Sequence, residues 1–250
     1  MKYNDYIILI PSRLGSTRLK EKPLIKIEGK PLILHVLDTA RKANLDIPIL
    51  VATDSDIIAQ IVNNAGGKAI LTDCKHQSGS DRINEAINIY DPQKKFKKII
   101  HLQGDLPNIS SELIKQLANL ISKKEILATP IVKATYDEIN DPNIVKCAAS
   151  FENEMPQIGD VGKALYFSRS EIPWGKQIKW HHLGIYGWDR NILEKFVSLK
   201  PSPLEKSEKL EQLRALEAGF NIRVLITKDK PIGIDTKEDL KKFQNLLQRE

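Results

Sequence analysis

Cysteine is nearly absent from this 250-residue chain, with Cys74 and Cys147 as the whole complement. Two thiols build neither a disulfide framework nor a cysteine-rich zinc site, and reduced thiols suit a cytoplasmic protein. Aromatic residues are sparse at 6%. No recognised nucleic-acid motif accompanies them, so no nucleic-acid partner is expected. No apolar run approaches the ~20 residues that span a bilayer, so no membrane insertion is expected. The short run Ile7–Ile10 ends at Pro11 and Arg13, and reads as a buried first strand rather than a signal peptide. None of the five histidines has metal-ligand spacing. No Ser/His/Asp or Cys/His constellation is visible either.

What is present is an ordinary globular composition, 41% hydrophobic and 28% charged, with a net charge of +6. The basic excess is scattered, and the densest run, Lys94 to Lys98, reads as a loop leading into a strand. Short apolar runs alternate with helical patterns over the first half of the chain, the signature of βα units around a parallel sheet. Strands are expected at Tyr6–Ile10, Ile49–Thr53, Lys68–Leu71 and Ile99–Leu102, with helices after Pro31, Asp54, Ser80 and Ser110. From about Ile131 to Trp188 the pattern turns antiparallel, with strands expected at Ile144–Ser150, Ala164–Ser168 and Lys179–Trp188. Helical periodicity returns at Asn191–Val197 and Lys206–Ala218, and Thr236 caps a final helix. The expected fold is α/β, an open, mostly parallel Rossmann-like sheet with a smaller β-rich lobe inserted late. Residues 1–130 and 199–250 would form the nucleotide-binding domain and residues 131–198 the lobe.

Ligands of open α/β sheets bind beyond the carboxyl ends of the strands, which selects the loops to inspect. The loop Pro11–Pro23 combines Gly15, Ser16 and Thr17 with Arg13, Arg18, Lys20 and Lys22. Arginine forks, lysine point charges and free backbone N–H groups there suit a polyphosphate. It matches neither GxxxxGK[ST] nor GxGxxG. Asp105, in Gln103-Gly104-Asp105 after the fourth strand, and Asp235, before the last helix, are the two carboxylates placed to share a divalent cation. Mg²⁺ takes one or two carboxylates and fills its remaining positions with phosphate and water. A third polar cluster, His76 to Arg82, precedes a helix, and capping accounts for much of it.

The segments IILIPSRLGSTRL, VATD, HQSGSDR, QGD, DPNIVK, ALYFSR, HLGIYGW, PSPLE, LEQLR and IDT occur in this order across nearly the whole chain. Together they resemble the 3-deoxy-manno-octulosonate (Kdo) cytidylyltransferase family, and ALYFSR, HLGIYG and LEQLR point to that branch. The resemblance implies conversion of CTP and Kdo to CMP-Kdo and pyrophosphate with Mg²⁺, feeding lipopolysaccharide synthesis in the cytoplasm. It also implies a homodimer joined through the smaller lobe. Carried onto matching positions, Arg13, Ser16, Arg18 and Lys22 face the triphosphate, and Thr53, Asp54, Ser80, Arg82 and Gln103 surround the nucleoside. Gln77, Ser78, Arg169, His182, Tyr186, Glu211 and Gln212 receive the sugar acid, while Asp105 and Asp235 hold the metal and, with Lys22, serve catalysis. The sequence departs from the family where Lys20-Glu21 stand in place of a common Pro-Gly, and where Leu106 replaces a common Glu. A related substrate, an amino-substituted Kdo or a sialic acid, stays open, as does a catalytically silent nucleotide-binding protein.

Overall fold

A computed structural model describes residues 3–15, 19–122 and 126–248. Ser16 and Arg18 of the expected triphosphate loop lie outside the described residues. In chain order the elements begin with β1 (Tyr6–Ser12), a single 3₁₀ turn (Lys22–Leu24), β2 (Lys26–Ile27), β3 (Lys30–Pro31), α1 (Leu32–Lys42), β4 (Ile49–Thr53) and α2 (Asp56–Asn64). They continue with β5 (Ala69–Leu71), α3 (Gly79–Tyr90), β6 (Lys98–His101), α4 (Ser111–Leu120), β7 (Leu127–Lys133), α5 (Tyr136–Asn140), β8 (Lys146–Ser150) and β9 (Val161–Ser168). The chain closes with β10 (Trp180–His182), β11 (Tyr186–Asp189), α6 (Arg190–Ser198), α7 (Pro203–Glu208), α8 (Gln212–Glu217), β12 (Ile222–Ile226) and α9 (Lys237–Leu247).

The chain divides into two compact units, Met1–Lys115 with Pro231–Glu250, and Gln116–Lys230. In the first, β6, β1, β4 and β5 lie side by side and parallel. The central strand β1 is apolar and buried on both faces, as helices on either side of a parallel sheet require. Helix α1 buries Leu32, Ile33, Val36, Leu37 and Ala40 along one stripe. A separate cluster of Leu19, Ile27, Leu32, Ile234 and Phe243 packs α9 against the segment that follows the first loop.

The second unit is mixed rather than mostly parallel. Strand β7 runs parallel to β12, β12 antiparallel to β9, β9 to β8, β8 to β10, and β10 back to β7, so the pairings close into a ring. The unit boundaries fall near residues 115 and 230, where the sequence suggested 130 and 198, because β12 and the first part of β7, both outside the lobe as read from sequence, pair with each other inside this unit. Strand β7 carries Pro130, which obscures it in sequence.

Two expected elements divide. The run Lys179–Trp188 is two strands, parted where Thr129 Oγ1 meets the carbonyls of Leu183 (3.0 Å) and Ile185 (2.8 Å). The helix expected over Lys206–Ala218 breaks at Lys209, whose φ of 57° ends α7. Among the described residues no helix is long and apolar enough to cross a membrane.

Candidate functional site

Three loops of the first unit converge beyond the ends of β1 and β6. The 3₁₀ turn fixes Lys22, with Leu24 N–H donating to the Glu21 carbonyl (2.8 Å) and Ile25 N–H to that of Lys22 (3.2 Å). Glu21 enters this turn at φ 51°, the left-handed conformation that glycine adopts without strain. The sequence departure at Glu21 thus keeps a glycine-like backbone and adds an exposed carboxylate. Gly104 passes so close to β1 that a Cβ would stand 2.5 Å from the Pro11 carbonyl oxygen, so only glycine fits. Ile234 N–H donates to the Asp105 carbonyl (3.0 Å), and Ile232 N–H to Asn108 Oδ1 (2.8 Å). These bonds zip the Asp105 and Asp235 loops together. Thr236 then opens α9 with a capping box to Asp239. Leu106 is buried and turns away into packing against Gly233.

The result is a two-carboxylate grip on one cation. Lys22 Nζ lies 2.6 Å from Asp105 Oδ2 and 2.9 Å from Asp235 Oδ1. Burial pulls the Lys22 ammonium downward, but the charges and hydrogen bonds of Asp105 and Asp235 outweigh it and hold the pKa above the usual lysine range. Two hard oxygen donors that already converge on a positive charge fit a Mg²⁺ ion. Among the described residues no cluster of three or more His, Cys, Asp or Glu could hold a metal unaided. Phosphate and water would have to complete the coordination of any ion there.

Around this grip lies a polar cavity of about 310 Å³, lined by Arg13, Lys22, Gln77, Ser78, Arg82, Gln103, Asp105 and Asp235 among the residues expected from sequence. Arg82 is buried, and its guanidinium is braced by Asp54 Oδ2 (2.8 Å) and Thr72 Oγ1 (2.7 Å). Asp54 is not among the lining residues of this cavity. Thr53 is fully buried with its hydroxyl accepting from Ser55 N–H (3.2 Å), and Ser80 is buried in the first turn of α3. Neither lines the cavity. Ser78 does, while its hydroxyl also caps α3 at Asp81 N–H (3.1 Å). Beneath Gln103, His101 is completely buried, and burial alone pushes its pKa down to about 3.

His76 and Ser12, in segments the sequence singled out but without a ligand role assigned there, also line the cavity. The polar run from His76 to Arg82 was the available signal, but helix capping explained it equally well.

The remaining expected residues belong to the second unit. His182 is buried with Nε2 2.9 Å from Thr129 Oγ1, and burial, aided by His181, drives its pKa down to about 3. Tyr186 packs 5.6 Å from the His182 ring, and burial, then the Glu211 charge, raises its hydroxyl well above the usual range. Gln212 is buried at the start of α8. Arg169 donates from Nε to the Glu208 carbonyl (3.0 Å) and from Nη1 to the Pro142 carbonyl (3.0 Å). The structure thus groups His182, Tyr186 and Glu211, and anchors Arg169 separately on the carbonyls of Glu208 and Pro142.

Parallel strands ending in a cationic, glycine-gated cavity, with paired carboxylates on its floor, define an α/β protein built to hold a nucleotide-like polyanion. A family model described as "Cytidylyltransferase" matches residues 7–229. The chain belongs to the cytidylyltransferase family. Its relatives narrow the comparison. A Bartonella henselae protein named 3-deoxy-manno-octulosonate cytidylyltransferase is 46% identical over 243 residues, covering 96% of this chain and 98% of its own. A Methylobacterium nodulans protein of the same name is 43% identical over 246 residues, covering 98% and 97%. A solved structure of CMP:2-keto-3-deoxy-manno-octonic acid synthetase complexed with CTP superposes with a TM-score of 0.87, at 35% identity and 98% coverage of both chains.

Proposed function

We propose that this chain transfers the cytidylyl group of CTP to Kdo, giving CMP-Kdo and pyrophosphate. The observation that carries the reading is Lys22 held between Asp105 and Asp235 on the floor of the cationic cavity. The near-full-length likeness to proteins named for this reaction supports it. In the reaction the anomeric 2-hydroxyl of Kdo attacks the α-phosphorus, the bond from that phosphorus to the β-bridging oxygen breaks, and the hydroxyl proton is lost to water.

Both substrates are anions, so the protein's task is neutralisation and alignment. Arg13, with Ser16 and Arg18, binds the triphosphate. Arg82, fixed by Asp54, faces the nucleoside end with Gln103, while Thr53 and Ser80 support that wall from behind. Lys22 stabilises charge growing on pyrophosphate. Asp105 and Asp235 are the residues that would hold Mg²⁺, which when bound supplies Lewis acidity and charge neutralisation at the α-phosphoryl group. In the second unit, Arg169 is the partner for the Kdo carboxylate, and His182, Tyr186, Glu211 and Gln212 serve the hydroxyls of the sugar acid.

We assign the protein to the cytoplasm as a homodimer that activates Kdo for lipopolysaccharide synthesis. The exposed apolar side chains of Met155, Ile158, Leu165 and Trp174 in the second unit are the surface such a dimer would cover.

Pyrophosphate release from CTP and Mg²⁺ with Kdo, its amino analogue and sialic acid tests the reading. Release with Kdo alone is expected. Release with another acid would keep the chemistry and overturn the substrate, and silence with all three, in a folded protein that binds CTP, would leave a non-catalytic nucleotide binder.

A further inference from the structure

Beside Arg13, Lys22 and Arg82 the cavity carries neutral polar side chains, and one of them is braced from behind by a carboxylate. His76 lines the cavity from the segment between β5 and α3. Its Nε2 is hydrogen-bonded to Glu85 Oε2, and that same oxygen accepts the Asp73 N–H at 2.9 Å. Glu85 stands on α3, so one carboxylate ties both ends of the Asp73–His76 segment to a helix. A carboxylate only accepts, so the proton between the two groups sits on Nε2. In the neutral ring this leaves Nδ1 as a lone-pair acceptor, and no described protein group meets it. A bracing carboxylate behind an imidazole is the arrangement that fixes which nitrogen faces a ligand.

The chemistry of that free nitrogen selects its partner. Phosphate oxygens and carboxylates only accept, so they suit Arg13, Lys22 and Arg82 and not Nδ1. The substrates also carry neutral donors: ribose hydroxyls, the exocyclic amine of the base, and the hydroxyls of the sugar acid. We infer that His76, oriented by Glu85, is a substrate-contacting residue whose Nδ1 accepts a hydrogen bond from one of these neutral donors. The inference rests on the cytidylyl-transfer reading and adds to it a residue that discriminates substrates, braced by a second that only positions it. Gln77 beside it spends its amide NH2 on the Lys75 carbonyl (3.0 Å).

His76→Phe removes the acceptor and keeps the ring. One hydrogen bond to a neutral donor corresponds to a roughly three- to tenfold loss. Calorimetric binding and KM are compared for CTP, UTP, 2′-deoxy-CTP, 3′-deoxy-CTP and the sugar acid, in wild type and variant. Loss of discrimination between CTP and one of its analogues assigns the contact to that missing group. A selective rise in Kd and KM for the sugar acid assigns it to that substrate instead. His76→Asn, whose carboxamide oxygen can stand where Nδ1 stood, should recover most of the loss, and Glu85→Ala should show part of it. Unchanged Kd and KM for every ligand in His76→Phe would overturn the inference, and so would a fall in kcat alone. Wild-type silence with CTP and Kdo would instead sink the cytidylyl-transfer reading, and the binding measurements would still decide the contact.

Discussion

Replacing Lys22 with methionine keeps the length of the side chain and removes the charge that Asp105 and Asp235 share. The two carboxylate oxygens meet one ammonium at 2.6 and 2.9 Å, so they lie no more than about 5.5 Å apart. At that separation two unit negative charges repel by about 3 kcal/mol at an effective dielectric of 20, and by under about 1 kcal/mol in bulk water. The side chains are 28% and 42% exposed, between those limits, so the repulsion released is on the order of 1–3 kcal/mol. For a chain of this size that is a drop in melting temperature of roughly 2–8 °C. A divalent cation should restore it, because the vacated position lies between two hard oxygens. Thermal unfolding of wild type and Lys22→Met, each with and without millimolar Mg²⁺, reads both effects. The variant should melt lower without Mg²⁺ and gain more from it than wild type does, while losing turnover. Equal melting temperatures and equal responses to Mg²⁺ would refute the shared-cation arrangement.

Three further outcomes follow from the same structure. His101 and His182 are held neutral, with pKa values near 3 against an ordinary 6.5. The unfolded chain therefore binds protons first as pH falls through 6.5, and stability is lost progressively from there toward pH 3, by on the order of 2 kcal/mol per ring at pH 5. Urea midpoints at pH 7.5 and pH 5 should differ accordingly, and equal midpoints would contradict the burial of both rings. Gly104→Ala drives a Cβ against the Pro11 carbonyl, where no flexible side chain can yield, and should cost at least tenfold in CTP affinity by calorimetry, with about 1–3 kcal/mol of stability. Glu21→Gly should fold within about 1 kcal/mol of wild type, whereas Glu21→Val at φ 51° should lose about 1 kcal/mol more, as read by urea denaturation.

The parallel half of the fold was legible because each of its strands is a short apolar run followed by an amphipathic helix. Strand β1 and helix α1 needed nothing beyond periodicity. The second unit was harder, since β7 contains Pro130 and its pairing with β12 joins residues nearly a hundred positions apart. Local pattern carries no information about such a closure, and the ring of mixed strands was therefore read as a smaller antiparallel excursion. The division of α7 from α8 at Lys209 was hidden for a related reason, because a lysine in a left-handed conformation leaves no glycine to mark the stop.

The site follows the same rule. Asp105, Asp235 and Lys22 were legible as charges at strand and helix ends, but their convergence depends on backbone bonds such as that from Ile234 to Asp105. Asp54 stood out as a strand-end carboxylate, while its ion pair with Arg82, from α3, was not legible. His76 looked like part of a helix cap and lines the cavity.

The most direct measurement is a phosphorus NMR time course of the protein with CTP, Kdo and Mg²⁺. The account predicts that the three CTP signals give way to one phosphodiester signal and one pyrophosphate signal in equal molar amounts, with the new ester coupled to C2 of Kdo. Orthophosphate as the product, or pyrophosphate without the coupled ester, would contradict cytidylyl transfer to the sugar acid.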